Sequence, residues 1–422
     1  MKVLMLSWEY PPKVIGGLAR AVADLSQAMV EEGHDVSVVT GDWPDSEPCE
    51  YVAGVRVFRA NQFFPSPMGF LDEVHFMNYH LIQKGIELLN EGDFDLIHAH
   101  DWLVAPSAKV LKHAFRKPLV CTIHATEWGR NNGLHNDLQR HISDLEWWLT
   151  YESYRVICCS EYMRNELRRI FQVPEDKLTV IGNGVRAKDF ANVHPNLDHW
   201  RSNWAKPEEE IILYVGRHVF EKGIDLLLNA APKVLAQRPH TKFIIAGKGP
   251  HHDELKRQAW DLGLGEKVVF PGFVDDLTRN SLYHLADAAV FPSRYEPFGI
   301  VALEAMAGQA PVIVSDVGGF AETVQHEVNG LTFFAGNADS LADTIIRLLA
   351  DKSLAHRLNE RAQHDLVAKY DWTKIARQTV KSYSQTIPQP HRQKTFYDRY
   401  QITSDFKERG ERLHESSNHG RW

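Results

Sequence analysis

The stretch Phe291-Pro292-Ser293-Arg294-Tyr295-Glu296-Pro297-Phe298-Gly299-Ile300-Val301-Ala302-Leu303-Glu304 holds two carboxylates eight positions apart. Pro297 disfavours helix at the residue before it, which puts Glu296 on a loop, while Pro297 and Gly299 lead into a helix carrying Glu304. At about 1.5 Å of rise per helical residue the two side chains lie roughly 10 Å apart, farther than the ~5 Å of a retaining glycosidase pair, so they do not act on one carbon. Between them the N–H groups of Phe298, Gly299 and Ile300 open a helix N-terminus, a ready phosphate site. An elongated ligand with hydroxyl-rich ends and an anionic middle fits this layout, and a nucleotide sugar is such a ligand. The plain alternative is a loop-end Glu296 and a solvent-facing Glu304.

Other residues could complete such a site. Arg217 follows the run Ile211 to Gly216 and Lys222 lies five residues on, so a guanidinium and an ammonium at a strand end would stabilise a departing diphosphate; otherwise they form a surface pair, with Lys222 bound to Glu221 or Asp225. Gly16-Gly17, between the first strand and first helix, lets a ligand approach the backbone, and does not match the dinucleotide fingerprint Gly-x-Gly-x-x-Gly. His98-Ala99-His100-Asp101 puts two histidines on one strand face. Its spacing departs from the metallo-β-lactamase motif, so a structural histidine, or an acceptor-side Asp101, is the better reading than a metal. His124 ends the next strand and Asn183, in Gly182-Asn183-Gly184, ends the last strand of the first half; each reads as a cleft residue or as ordinary core and turn.

Positioning these residues requires a repeated frame. Short apolar runs at Val3–Ser7, Val36–Thr40, Leu96–Ala99, Leu119–Ile123, Val156–Cys159 and Leu178–Ile181 alternate with helical spacing, as at Leu18, Val22, Leu25 and Met29. A second series follows at Ile211–Val215, Lys242–Ala246, Val268–Phe270, Ala288–Phe291 and Val312–Ser315. The fold class is α/β, with two Rossmann-like domains facing a central cleft and ligands at the strand C-termini. The expected division is a first domain over 1–190, a linker over 191–210, a second domain over 211–370, a terminal helix over 371–387 and a polar tail over 388–422. The tail carries scattered Phe396, Tyr397, Tyr400 and Phe406 and reads as partly disordered or as a peripheral attachment.

The chain has 422 residues and a formal charge of −8, which argues against nucleic-acid binding. Four cysteines, Cys49, Cys121, Cys158 and Cys159, lack zinc or redox spacing and suit a reducing compartment. The apolar start is too short for a signal peptide and no run reaches the ~20 residues of a membrane span, so the expectation is a cytoplasmic protein, with peripheral membrane contact left open.

Taken together, these residues resemble the retaining glycosyltransferases of the GT-B fold, particularly the large family four and the glycogen and starch synthases beside it. The resemblance covers roughly Met1 to Ile387 and rests on Gly16-Gly17, Thr122-Ile123-His124, Ile181-Gly182-Asn183-Gly184-Val185, Arg217 with Lys222, and Glu296-Pro297-Phe298-Gly299 through Glu304. It implies that Glu296 contacts donor-sugar hydroxyls, Glu304 holds the ribose, Arg217 and Lys222 meet the diphosphate, and Gly16-Gly17 approaches the phosphates. His124 is implied near the reacting bond, Asn183 near the sugar or diphosphate and Asp101 on the acceptor side, with the terminal helix crossing back to the first domain. The resemblance also implies that the domain over 1–190 is the acceptor side and that the one over 211–370 binds the nucleotide sugar. The implied reaction moves a hexose, glucose by preference, from a nucleoside-diphosphate sugar to a carbohydrate acceptor such as an α-1,4-glucan, with retention and without metal or cofactor. Two residues separate Lys13 from the glycines where glycogen synthases commonly have one. Trp128, Trp147 and Trp148 offer faces to a glucan or simply pack. The alternatives are transfer to a lipid or small polar acceptor, with Lys109, Lys112, Arg116, Lys117, Arg164, Arg168 and Arg169 as a basic surface, a nucleotide-sugar epimerase, or a binding protein without turnover.

Overall fold

A computed structural model describes residues 1–44, 46–60 and 69–386. The polar tail over 388–422 and Ile387 therefore lie outside the described residues. In the first half an eight-stranded sheet is built from β1 (Lys2–Ser7), β2 (Asp35–Gly41), β3 (Cys49–Val52), β4 (Val55–Ala60), β5 (Leu96–His100), β6 (Leu119–Ile123), β7 (Arg155–Cys158) and β8 (Leu178–Val180). Its spatial order is β3-β4-β2-β1-β5-β6-β7-β8, parallel throughout except for the β3–β4 hairpin. The second half holds a six-stranded parallel sheet of β9 (Glu210–Val215), β10 (Thr241–Ala246), β11 (Val268–Gly272), β12 (Ala288–Phe291), β13 (Val312–Ser315) and β14 (Leu331–Phe333), in the order β11-β10-β9-β12-β13-β14. Helices cover both faces, which is why the central strands are apolar without alternation: β1, β5, β6, β12 and β13 are buried almost end to end. These are two Rossmann-like domains, and their strand order reverses at β1/β5 and at β9/β12, where such sheets leave a crevice.

The terminal helix Trp372–Thr386 crosses back to the first half. Asp371 accepts the Lys374 N–H at 3.2 Å, and Trp372, Ile375, Ala376 and Tyr383 join Val22, Leu25 and Met29 of the helix Gly17–Glu31 in one core. Segment 191–210, the expected linker, carries structure of its own. It contains the helix Leu197–Arg201, whose Trp200 packs on the core together with Trp204, and Glu209 is buried against Lys267 at 2.9 Å. The acidic run thus has specific partners, invisible to a composition argument. Among the described residues no helix is long and apolar enough to cross a membrane.

Candidate active site

The loop after β12 brings Glu296 to the bottom of the crevice. Its Oε2 accepts from Lys222 Nζ at 2.8 Å and from Ser293 Oγ at 3.2 Å, with the carboxylate almost wholly buried. Lys222 ends the turn Phe220–Lys222 just beyond β9. Neither Glu221 nor Asp225 is its partner: Glu221 pairs with Arg217 at 3.5 Å, and Asp225 with Arg294 at 2.6 Å. Gly299, at φ 97°, caps the helix Ile300–Ala307, and a Cβ there would lie 2.4 Å from the Phe320 ring. One turn into that helix, Glu304 faces Arg20 of the opposite half at 3.9 Å, while Arg20 also binds Asp276 at 2.8 Å.

The facing wall begins where β1 ends. The Glu9 carboxylate is buried there and Oε2 accepts the N–H groups of Ile15 and of Gly16, the latter at 3.2 Å. Burial raises the Glu9 pKa although those N–H groups, and the charges of Arg217 and Lys13, pull it down. A Cβ on Gly16 would stand 3.9 Å from Arg217 Nε and one on Gly17 3.4 Å from Ile300 Cδ1, so the loop lies against Arg217 and the start of the Ile300 helix. The Gly16 N–H is thus already held by a carboxylate. Lys13 is buried with its ammonium 4.0 Å from the Trp8 ring centroid.

His124 follows β6. Its backbone N–H donates to Asp101 Oδ1 at 2.7 Å and its ring Nε2 lies 3.2 Å from His100 Nδ1. Asp101, expected to meet an acceptor, therefore spends one oxygen on fixing the His124 backbone. His98 and His100 are both buried, and among the described residues no group of histidine, cysteine and carboxylate side chains could hold a metal ion. Asn183 sits between Gly182, where a Cβ would come 3.0 Å from the buried Phe298 ring, and Gly184, which backs onto Tyr370 and Trp372. That contact puts it beside the Glu296 loop.

Sequence reasoning passed over Glu9, Arg20 and, above all, Tyr295. Tyr295 belongs to the second half, yet its hydroxyl donates to Glu166 Oε1 at 2.8 Å and accepts the Thr126 N–H at 3.2 Å in the first. Thr126 Oγ1 donates to the same Glu166 oxygen at 2.6 Å, and Ser160 Oγ donates to the Pro297 carbonyl at 2.6 Å. The only available signal was position: Tyr295 immediately precedes Glu296 in a strand-end loop. Nearby, burial would lower the pKa of Arg130, but the neighbouring Asp101, Tyr295, Glu146 and Glu127 together outweigh it and raise it. Phe273, just past β11, leaves two thirds of its surface in solvent. Of the aromatic segment, Trp128 lies under Arg169 and Trp148 under Lys109, leaving Trp147 stacked on Tyr151 at the surface. The basic surface is partly paired: Lys109 and Lys112 share Glu152, Lys117 binds Asp93, and Arg164 and Arg168 share Glu175.

Residues 15–189 match the family model described as Glycosyltransferase Family 4, and residues 198–365 the one described as Glycosyl transferases group 1. The chain is 41% identical to an uncharacterized glycosyltransferase of Methanocaldococcus jannaschii over 91% of this chain and 98% of that protein. It is 37% identical to a glycogen synthase of Mycobacterium tuberculosis over 91% of this chain and 94% of that one. Among solved structures, sucrose-phosphate synthase from Thermosynechococcus elongatus superposes with a TM-score of 0.79 at 27% identity, covering 91% of this chain and 98% of the other.

Proposed function

The chain belongs to the family-four glycosyltransferases of the GT-B fold, and we propose that it moves a glucosyl unit from a nucleoside-diphosphate glucose to an α-1,4-glucan with retention of anomeric configuration. The observation that carries this reading is the single wall formed by Arg217, Lys222, Glu296 and the start of the Ile300 helix, laid against the Gly16-Gly17 loop. In it, Glu296 binds donor-sugar hydroxyls and Glu304 the ribose, and Asn183 borders the sugar. Arg217, Lys222 and the N–H groups of Phe298, Gly299 and Ile300 take the diphosphate. As the bond from C1 to the diphosphate oxygen breaks, negative charge grows on that oxygen, and the two cations stabilise it in place of a metal ion. The acceptor hydroxyl then attacks C1 from the same face, and its proton passes to the departing phosphate. His124 and Asp101 line the acceptor side of that carbon. The similarity to a glycogen synthase along nearly its whole length supports the glucan as acceptor.

The test supplies UDP-glucose, ADP-glucose and GDP-mannose with and without glycogen, in chelator, and follows nucleotide release. Glycogen-stimulated release from a glucose nucleotide, with an α-configured product by NMR, is expected. No acceptor-stimulated turnover with any donor overturns the reading, and interconversion of sugar nucleotides without acceptor replaces it with an epimerase.

A further inference from the structure

Behind His124 lies a buried row of polar rings that the reaction scheme leaves unused. Tyr383 of the terminal helix meets His98 Nδ1 through its hydroxyl at 2.6 Å, and His98 Nε2 meets Thr122 Oγ1 at 2.8 Å, so both nitrogens of His98 are engaged. The His98 and His100 ring centroids are 4.1 Å apart, and His100 Nδ1 lies 3.2 Å from His124 Nε2. His100 Nε2 is buried with no partner among the described residues.

That unpartnered nitrogen favours one placement of the shared proton. Burial keeps both His100 and His124 neutral by pushing their pKa values down, so each ring carries one N–H. If His124 donated from Nε2, His100 would have to carry its own proton on Nε2 and bury an unsatisfied N–H, a group proteins almost never leave orphaned. If His100 donates from Nδ1, its Nε2 is only a bare lone pair, which is tolerated more readily. We propose that His100 is a positioning residue: its Nδ1–H donates to His124 Nε2 and thereby fixes His124 as the Nδ1–H tautomer, which presents a hydrogen-bond donor to the bound sugar. The last clause rests on the glycosyltransfer reading. The tautomer does not.

Histidine-labelled full-length protein, observed by long-range 15N–1H correlation at neutral pH, reads the tautomer directly, with His124→Gln used to assign the signal. A protonated Nδ1 and a bare Nε2 on His124 are expected in the unaltered protein, and the opposite pattern overturns the proposal even if no variant folds. His100→Asn, whose amide nitrogen stands near the lost Nδ1, should keep the tautomer and most of kcat. His100→Leu should release it and lower kcat about tenfold with little change in donor KM. Equal losses in both variants with the His124 tautomer unmoved would make His100 merely structural. Failure of the transferase assay alone leaves the spectrum to stand or fall by itself.

Discussion

Lys222, partly exposed, and the buried Glu296 hold each other at 2.8 Å, so each sets the charge the other presents to a ligand. Glu296→Gln keeps the shape and one acceptor oxygen but strips Lys222 of its counter-charge; kcat should fall by about 10²–10³ and Glu296→Ala by more, with the melting temperature nearly unmoved. Normal turnover in either variant would remove Glu296 from the reaction. Glu9 makes the complementary case, since its charge acts on Arg217, one of the two cations proposed to meet the diphosphate. Glu9→Gln retains an acceptor for the Ile15 and Gly16 N–H groups while removing a negative charge beside Arg217, so donor KM should drop by roughly two- to tenfold. Because the Glu9 pKa is raised, donor KM of the unaltered protein should also fall as pH is lowered toward that pKa, and the Gln variant should lose this dependence. A KM that rises in the variant, or shows the same pH profile, sinks the idea. Glu296, Glu304, Arg217 and Lys222 were legible because their meaning lies in residue type and local spacing. Glu9 was not, because its role comes from amides six and seven residues away that only the folded loop returns to it.

At the scale of elements, the two halves are joined by Tyr295, which enters a slot between the helices Glu127–Asn131 and Glu161–Phe171. The slot exists because residue 129 is glycine: a Cβ there would lie 2.3 Å from the Tyr295 ring. Alanine is the better helix former by about 0.5–1 kcal/mol, so Gly129→Ala should not unfold the helix, yet it should keep the halves apart. The expected result is at least a tenfold loss of kcat, a larger radius of gyration by small-angle scattering and a melting temperature within a few degrees of the parent. Unchanged kcat would show that Tyr295 seats elsewhere during turnover. Tyr295→Phe should be milder, costing about 1–3 kcal/mol of closure through the partners left on Glu166 and Thr126. The frame around this device was readable wherever strands are buried on both faces and so spell continuous apolar runs. The hairpin β3–β4 escaped because β3 is half-exposed and its turn, Ala53-Gly54 at φ 49° and 84°, lacks the usual Asn or Asp. β14 escaped because three residues carry no period. The Tyr295 slot escaped because its two sides lie well over a hundred positions apart in sequence.

For the molecule as a whole, the helix Gly17–Glu31 is the surface on which both halves and the returning helix meet. Arg20 reaches Asp276 and Glu304, Asp24 and Glu31 share Arg186, and Glu32 just beyond it pairs with Arg377. Between these contacts lies a cavity of about 340 Å³ lined by Arg20, Asp24, Arg186, Asp189, Asp276 and Glu304. Burial there, and secondarily the charge of Asp189, outweigh Arg186 and raise the Asp24 pKa from 3.8 to about 6. With the folded pKa above the unfolded one, both states are protonated below pH ~4 and Asp24 contributes nothing; between about pH 4 and 6 the unfolded chain releases its proton first and stability is lost, and above pH 6 the full penalty remains. The side chain is 29% exposed and its partner Arg186 keeps Glu31, so Asp24→Asn should gain about 1–2 kcal/mol above pH 6, a few degrees of melting temperature. Calorimetry from pH 4 to 8 checks the sign as well as the size: the gap between variant and parent must open as pH rises and close near pH 4. A gap independent of pH would mean that the substitution acts through packing, and a gap of opposite sign would mean that the Arg186 ion pair, rather than burial, governs the charge on Asp24.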